Sequence, residues 1–359
     1  MKALLNHHER EALPTARRLA VTFAAVAALH IVMLALLADS LRTNHNPVVL
    51  GLLITAYLAG VKHSYDWDHI AAIDNSTRRF AAQGRSPVSV GFAFSMGHSM
   101  VVVLAGVLMV SGAGIIQDAL NDGSSANMVL SITGASVSGL FLLTIGVYNA
   151  AAFRRTAVLY RRVKDGATVT REALAPTGLV ARLLDKPLSR VNRPRDIFVL
   201  GFLFGLGFDT ASTIAFLLLT ATAALAGISP VALMALPFGF MAAMTLCDTV
   251  NGVAMMKMYR SAVVDPRRRI GFNMVITGVS AASALFISVI TIAGVLHGML
   301  GLTDPVTTFL AELDLGHAGL VLVAMLLFIW GAHTWVRRVG EAASAASAAS
   351  AATGGNPQG

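Results

Sequence analysis

The sequence predicts an all-α polytopic membrane protein with about eight transmembrane helices and both termini in the cytoplasm. Of its 359 residues, 55% are hydrophobic and only 13% are charged, whereas about a quarter of the residues in a soluble domain are charged. Apolar runs of about 20 residues recur along the chain, and a helix of that length crosses the hydrocarbon core of a bilayer. Because these runs do not alternate apolar with polar residues, they favour helices over a barrel.

Eight apolar runs define the predicted spans. The first follows a basic tail over residues 1–17, and its length of about 20 residues without a small-residue cleavage site favours a helix over a signal peptide. The predicted spans lie at about 18–38, 48–72, 88–112, 128–152, 197–226, 230–258, 271–299 and 315–336. They form two blocks, 18–152 and 197–336, which are separated by a basic cytoplasmic loop over 153–196. The Ala/Ser/Gly-rich tail over 337–359 is predicted to be disordered.

The positions of the basic residues support this topology. Of the 27 Lys and Arg residues, 24 lie in the N-terminal tail, in alternate loops or in the C-terminal flank. One more, Arg42, lies on the opposite side, and Lys62 and Lys257 fall inside predicted spans. Lys and Arg are enriched in cytoplasmic loops, so the net charge of +8 reflects membrane orientation and not nucleic-acid binding.

The most unusual residues lie near the end of the second predicted span, in the sequence Val-Lys-His-Ser-Tyr-Asp-Trp-Asp-His from position 61. An Asp at the centre of a membrane helix costs about 2.5–3.5 kcal/mol on insertion scales. Several polar groups in this stretch therefore indicate an interaction that offsets the cost of insertion. On a continuous helix, His63, Asp66 and His69 share one face of about 120°. Two imidazoles and a carboxylate are suitable ligands for Ni²⁺, Co²⁺ or Zn²⁺. Asp68 points away and is expected to support the ligands, or to bind if the helix unwinds.

A different interpretation of this stretch is purely structural. Lys62 and Asp66 are four residues apart and could pair on one helix face, with the histidines bonded to backbone groups. That arrangement leaves Asp68 and both histidines unexplained, which favours the metal interpretation.

Three other predicted spans also carry polar groups that a lipid-facing helix would not accept. His98 lies in the third span, Asp209 in the fifth, and Asp248 and Asn251 in the sixth. We expect these side chains to face a shared polar interior. Cys247, the single cysteine, is interpreted as a buried structural thiol.

These motifs resemble a known family. His63-x4-Asp-His-Ile-Ala-Ala-Ile-Asp-Asn75 is similar to the signature of the nickel/cobalt transporter family (NiCoT), the eight-helix permeases of secondary metal uptake. Further likeness lies in Gly91–Ser99, Leu200–Ala211 and Cys247–Gly252. The resemblance implies that the metal-selecting signature comprises His63, Asp66, Asp68 and His69, with His98 contributing. It further implies pathway or supporting roles for Asp74, Asn75, Ser95, Asp209, Thr210, Asp248 and Asn251.

The resemblance implies import of Ni²⁺ or Co²⁺ across the plasma membrane, with the ion as substrate and no cofactor. The chain contains no Gly-x4-Gly-Lys-Ser/Thr phosphate loop, which agrees with transport that needs no ATPase subunit. It departs from the family pattern at three positions: Thr213 replaces an acidic residue, Cys247 a methionine and Asn251 an aspartate.

Three other functions are alternatives to import. Export of the same metals would use the same kind of site. A membrane acyltransferase is formally compatible with the spacing from His63 to Asp68, but that chemistry needs the pair at the membrane surface within a sizeable catalytic domain. A di-iron membrane oxygenase would need several histidine-rich motifs, and this chain has one such pair.

Overall fold

The structure, a computed structural model, describes residues 13–44, 48–110, 124–164, 193–206, 229–260, 266–313, 319, 321–332 and 334–335. All regular structure within these ranges is helical. The helices are α1 (Thr15–Asn44), α2 (Val48–Ser64), α3 (Trp67–Ala82), α4 (Val90–Val110), α5 (Ser125–Lys164), α6 (Pro194–Gly205), α7 (Pro230–Arg260), α8 (Pro266–Leu300), α9 (Pro305–Ala311) and α10 (Val321–Ala332).

The prediction of an all-α polytopic membrane protein is confirmed. Among the described residues, five helices (α1, α4, α5, α7 and α8) are long and apolar enough to cross a membrane. The bent pair of α2 and α3 makes a sixth span if it is counted as one. The fifth predicted span is described only as far as α6, and the eighth is described chiefly by α10. The cytoplasmic placement of the two termini stays a prediction.

The structure differs from the predicted elements in several places. Helix α3 continues to Ala82, and α9 lies between the seventh and eighth predicted spans. The continuous second span expected at 48–72 is wrong, because the chain bends by 55° between α2 and α3. The fourth span continues as one helix to Lys164, so the first residues of the predicted 153–196 loop are helical. Residues 165–192 of that loop and 337–359 of the tail lie outside the described residues.

Helix α7 is the centre of the described bundle. It packs against α1, α2, α3 and α4, while α4 also packs against α6 and α5 packs along α8. Large apolar side chains fill the space between α1, α2, α4 and α7, including the fully buried Phe240 and Leu236. This packing of helices surrounds the polar residues of α3 and α4 on several sides.

Small residues allow α4 to approach its neighbours closely, as their spacing in the sequence indicates. A Cβ atom added at Gly201 of α6 would collide with the carbonyl oxygen of Phe94 in α4, and one at Gly91 would collide with the carbonyl oxygen of Asp248 in α7. At Gly205, an added Cβ would lie 2.8 Å from the carbonyl oxygen of His98. The backbone of α4 is therefore fixed against both α6 and α7.

Buried polar side chains join α3 to the pair formed by α5 and α8. The Ser280 hydroxyl of α8 donates to Asp74 Oδ2 at 2.6 Å. On α5, Asn149 Nδ2 donates to Asn75 Oδ1, and Asn75 Nδ2 donates to the Ala71 carbonyl. Since a buried amide or carboxylate is stable only when it is hydrogen-bonded, these bonds fix the side of α3 that faces α5 and α8.

Replacing Gly201 by valine is expected to destabilise the protein, because α6 must move away from the backbone of α4. Overpacking of this kind costs about 1–3 kcal/mol. Gly51→Val is the matched control, since nothing lies within 4 Å of a Cβ at Gly51. Thermal unfolding of the purified proteins in detergent would measure the difference. Equal unfolding temperatures for the two variants would contradict the close packing of α4 and α6.

Candidate metal site

The site begins at the break between α2 and α3. The amides of Tyr65 and Asp66 donate to the carbonyl oxygens of Lys62 and His63, each at 3.0 Å, so the last turn of α2 tightens and the helix ends. Asp66 is extended (φ −65°, ψ 144°) and precedes the first turn of α3. The break therefore places the residues before it and after it on two differently directed helices.

Two contacts stabilise the region after the break. Asp68 Oδ1 accepts a hydrogen bond from the backbone N–H of His69 at 2.9 Å, which satisfies one of the free amides at the start of a helix. Gly319 packs against the break itself, because a Cβ there would collide with the carbonyl oxygen of Tyr65. The bend is thus enclosed by the rest of the bundle.

Three histidines converge at this point. His63 lies in the last turn of α2, His69 in the first turn of α3, and His98 within α4. One ring nitrogen from each lies within 4.8 Å of the others, and the ring centroids are 4.5–4.9 Å apart. His63 Nε2 and His98 Nε2 are 2.8 Å apart, so one of them must donate a proton to the other.

Carboxylates contact the outer nitrogens of two of these rings. Asp66 Oδ2 lies 2.8 Å from His63 Nδ1, and Asp248 Oδ2 lies 3.3 Å from His69 Nδ1. A carboxylate behind an imidazole fixes its orientation and tautomer, and leaves the other nitrogen free to bind a metal. Among the described residues, His69 Nε2 has no hydrogen-bond partner.

The cluster is buried and partly surrounded by aromatic side chains. The exposed fractions of His63, His69 and His98 are 1%, 0% and 4%. The Phe94 ring packs edge-on against His69 at a centroid distance of 5.1 Å, and Phe240 lies 5.6 Å from His63. The imidazoles are therefore shielded from bulk solvent by the surrounding helices.

This donor set fits a borderline divalent transition-metal ion. Metal–imidazole bonds are about 2.0–2.1 Å long, so small side-chain rotations bring the three nitrogens into range of one ion. Imidazole ligands suit Ni²⁺, Co²⁺ and Zn²⁺ better than Mg²⁺ or Ca²⁺. Three nitrogens also leave coordination positions open for water or for a carboxylate oxygen.

The structure brings five of the sequence-predicted residues together: His63, Asp66, His69, His98 and Asp248. The prediction that His63, Asp66 and His69 share one face of a continuous helix is wrong, because the bend separates His63 from His69. Asp66 is buried against His63, whereas Lys62 is exposed, which disfavours the structural interpretation based on a Lys62–Asp66 pair. Metal binding by these residues stays a prediction.

The other predicted residues lie around this centre. Asp68 accepts a hydrogen bond from the His69 amide in the first turn of α3, and Asp74 and Asn75 point toward α8 and α5. Ser95 Oγ donates to Thr245 Oγ1 at 3.3 Å, and Asn251 is buried one turn beyond Asp248. Asp209 and Thr210, like the departure at Thr213, lie outside the described residues. Pathway or supporting roles for this set remain predictions.

Sequence reasoning missed Asn149 and Ser280, which join α3 to its neighbours, and the aromatic walls formed by Phe94 and Phe240. An Asn in an apolar span was a usable signal, since buried polar groups in membranes need partners. The two phenylalanines gave none, because an aromatic residue in a membrane helix is equally compatible with lipid contact.

The chain resembles several characterised transporters. Residues 49–335 match the sequence model of the high-affinity nickel-transport protein family, NicO. The nickel transporter NicT of Mycobacterium tuberculosis is 38% identical over 323 residues, which cover 87% of each chain. The high-affinity nickel-transport protein NixA of Helicobacter pylori is 36% identical, with 86% of this chain and 95% of the relative covered. The cobalt transport protein NhlF of Rhodococcus rhodochrous is 35% identical over 78% of this chain and 81% of its own. No solved structure matches the chain.

Replacing His98 by alanine is expected to weaken Ni²⁺ and Co²⁺ binding by about 100-fold or more, because even the loss of a group supporting a ligand costs 10–100-fold. Binding to the purified protein would be measured by titration calorimetry and by the visible absorption of bound Co²⁺. His30→Ala is the control, since His30 contacts Tyr57 and the Val26 carbonyl on another side of the bundle. Unchanged affinity in the His98 variant would exclude it as a ligand.

Proposed function

Because this chain belongs to the NicO family of high-affinity nickel-transport proteins, we propose that it imports Ni²⁺ or Co²⁺ across the plasma membrane through the buried histidine cluster. Family membership makes it a multi-pass permease and not an enzyme, with the metal ion as its transported substrate. The direction of transport and the site are the parts that are proposed.

The observation that carries the proposal is the convergence of three imidazoles from α2, α3 and α4 in a closed part of the bundle. A divalent ion crossing a membrane loses hydration, and the loss must be offset by protein ligands. His63, His69 and His98 supply nitrogen donors in place of water. The selectivity for borderline metals follows from the donor type.

The two carboxylates next to the cluster compensate the positive charge of a bound divalent ion. Asp66 contacts His63, and Asp248 contacts His69. When both are ionised, their combined charge equals and opposes that of one divalent ion. An ion in a medium of low dielectric is far less costly when neighbouring charges compensate it, so the carboxylates favour occupancy without binding the ion directly.

The driving force is the membrane potential. Moving one elementary charge through 100 mV corresponds to about 2.3 kcal/mol, so a divalent ion gains about 4.6 kcal/mol on moving toward the negative side. That energy favours import and works against export. Together with the missing phosphate loop, it supports secondary transport.

Uptake of radiolabelled nickel and cobalt, at nanomolar concentrations and in cells that lack their own importers, tests the proposal. Cells with the wild-type protein are expected to accumulate metal, and cells with His63→Ala at matched membrane expression are expected to accumulate none above empty cells. His30→Ala should accumulate metal like the wild type. Lower accumulation than in empty cells would indicate export. No difference from empty cells for either metal would show that neither metal is the substrate.

Transport is also expected to fall as the pH drops below about 6. A proton and a metal ion compete for the same imidazole lone pair, and histidine has an ordinary pKa of about 6.5. Neutral rings bind the ion, so uptake is present at higher pH and lost at lower pH. The measurement uses proteoliposomes with a clamped potential and a constant free metal concentration. Constant uptake from pH 7 to pH 5 would exclude histidine ligation.

A further inference from the structure

A cavity of about 370 Å³, open along one side as a groove, lies where α1, α4 and α6 begin. None of its lining residues belongs to the histidine cluster. Its walls are mostly apolar and include Val21, Ala25, Phe92, Met96 and Phe198.

Two arginines line the same cavity, Arg18 from α1 and Arg195 from α6. Arg18 Nη2 contacts the carbonyl oxygen of Ser86 at 3.4 Å. Arg195 Nε lies 3.5 Å from Asp196 Oδ1, although the Arg195 side chain is 73% exposed. A guanidinium has five N–H donors, so each arginine is able to keep such a contact and bind a phosphate as well.

The charge near the cavity is positive on balance. Within the described part of the chain, Asp196 is the acidic group next to it, and its other oxygen accepts a hydrogen bond from the Arg193 amide at the start of α6. Among the described residues that line or adjoin the cavity, two arginines accompany one carboxylate, which also accepts a hydrogen bond at the start of α6. The amino ends of α4 and α6 add a partial positive charge of their own.

We propose that this groove binds one anionic phospholipid, with the phosphate between Arg18 and Arg195 and an acyl chain along the apolar wall. The position suits a lipid, because the cavity lies at the ends of membrane-spanning helices, where headgroups meet acyl chains. The apolar wall has no role in binding a free phosphate ion. The arginines favour a lipid with net negative charge over a zwitterionic one.

Such a lipid would contact the helices that hold the metal site. Phe198 lines the groove, and its carbonyl oxygen contacts the position that a Cβ of Gly97 would occupy. Gly97 directly precedes His98 in α4. The inference nevertheless stands independently of metal transport, because it rests on the groove alone.

The test is native mass spectrometry of the purified full-length protein with phosphatidylglycerol or phosphatidylcholine carrying the same acyl chains. The wild type is expected to retain one phosphatidylglycerol in preference to phosphatidylcholine. The double variant Arg18→Gln, Arg195→Gln should bind phosphatidylglycerol about tenfold or more weakly, as expected from the loss of two basic residues at a headgroup. The double variant Arg161→Gln, Arg162→Gln, at exposed positions of α5, is the matched control and should bind like the wild type.

A second variant tests the apolar wall without changing the charge. Ala25→Trp fills the groove and should also lose the lipid, while thermal unfolding in detergent verifies that each variant is folded. Inorganic phosphate in large excess should not displace phosphatidylglycerol from the wild type. The proposal is overturned if the two lipids bind equally, if the arginine or Ala25 variants keep the lipid, if phosphate displaces it, or if the wild type retains none.

Discussion

The burial of imidazole and carboxylate groups inside a membrane-spanning bundle is the constraint on which the rest of this structure depends. A polar group without a partner costs several kcal/mol in such surroundings, so each one dictates the position of another. Asp66 is held by His63, and Asp248 approaches His69. The first contact joins the break to the end of α2, the second joins α3 to α7, and together they fix the geometry at the centre of the bundle.

Close helix packing then determines where the third imidazole lies. The backbone of α4 contacts α6 and α7 at glycine positions, and an added Cβ at Gly205 would lie 2.8 Å from the carbonyl oxygen of His98. Interhelical contacts between small residues give membrane helices well-defined distances. The histidine is thus positioned by the packing of backbone on backbone around it, and not only by its own hydrogen bonds.

Composition and the distribution of basic residues were sufficient to predict an all-α membrane protein, because both are determined by the lipid bilayer. Its hydrocarbon core selects long apolar helices, and Lys and Arg are enriched in the cytoplasmic loops. The polar residues of the centre were also identifiable, since charge inside a span needs a reason. The bend was not predictable from local signals: no Pro or Gly stands at Tyr65 or Asp66, and it depends on Asp66 pairing with His63 and on Gly319 packing against it. Likewise, the partners of Asp74 and Asn75 on α8 and α5 are tertiary contacts from remote parts of the chain, which spacing along one helix does not reveal.

A transport site has to release its ion as well as bind it, and the contact between two imidazoles bears on that requirement of the proposed function. His63 Nε2 and His98 Nε2 lie 2.8 Å apart and share a hydrogen bond, and neither nitrogen can keep that bond while it ligates a metal ion. His69 Nε2 and His98 Nδ1 are among the buried nitrogens of the described residues that have no hydrogen-bond partner. In the proposed mechanism, an arriving ion replaces the hydrogen bond between the two rings with metal–nitrogen bonds, and a departing ion allows the rings to pair again. This competition between the rings and the ion moderates the affinity and favours release over permanent retention.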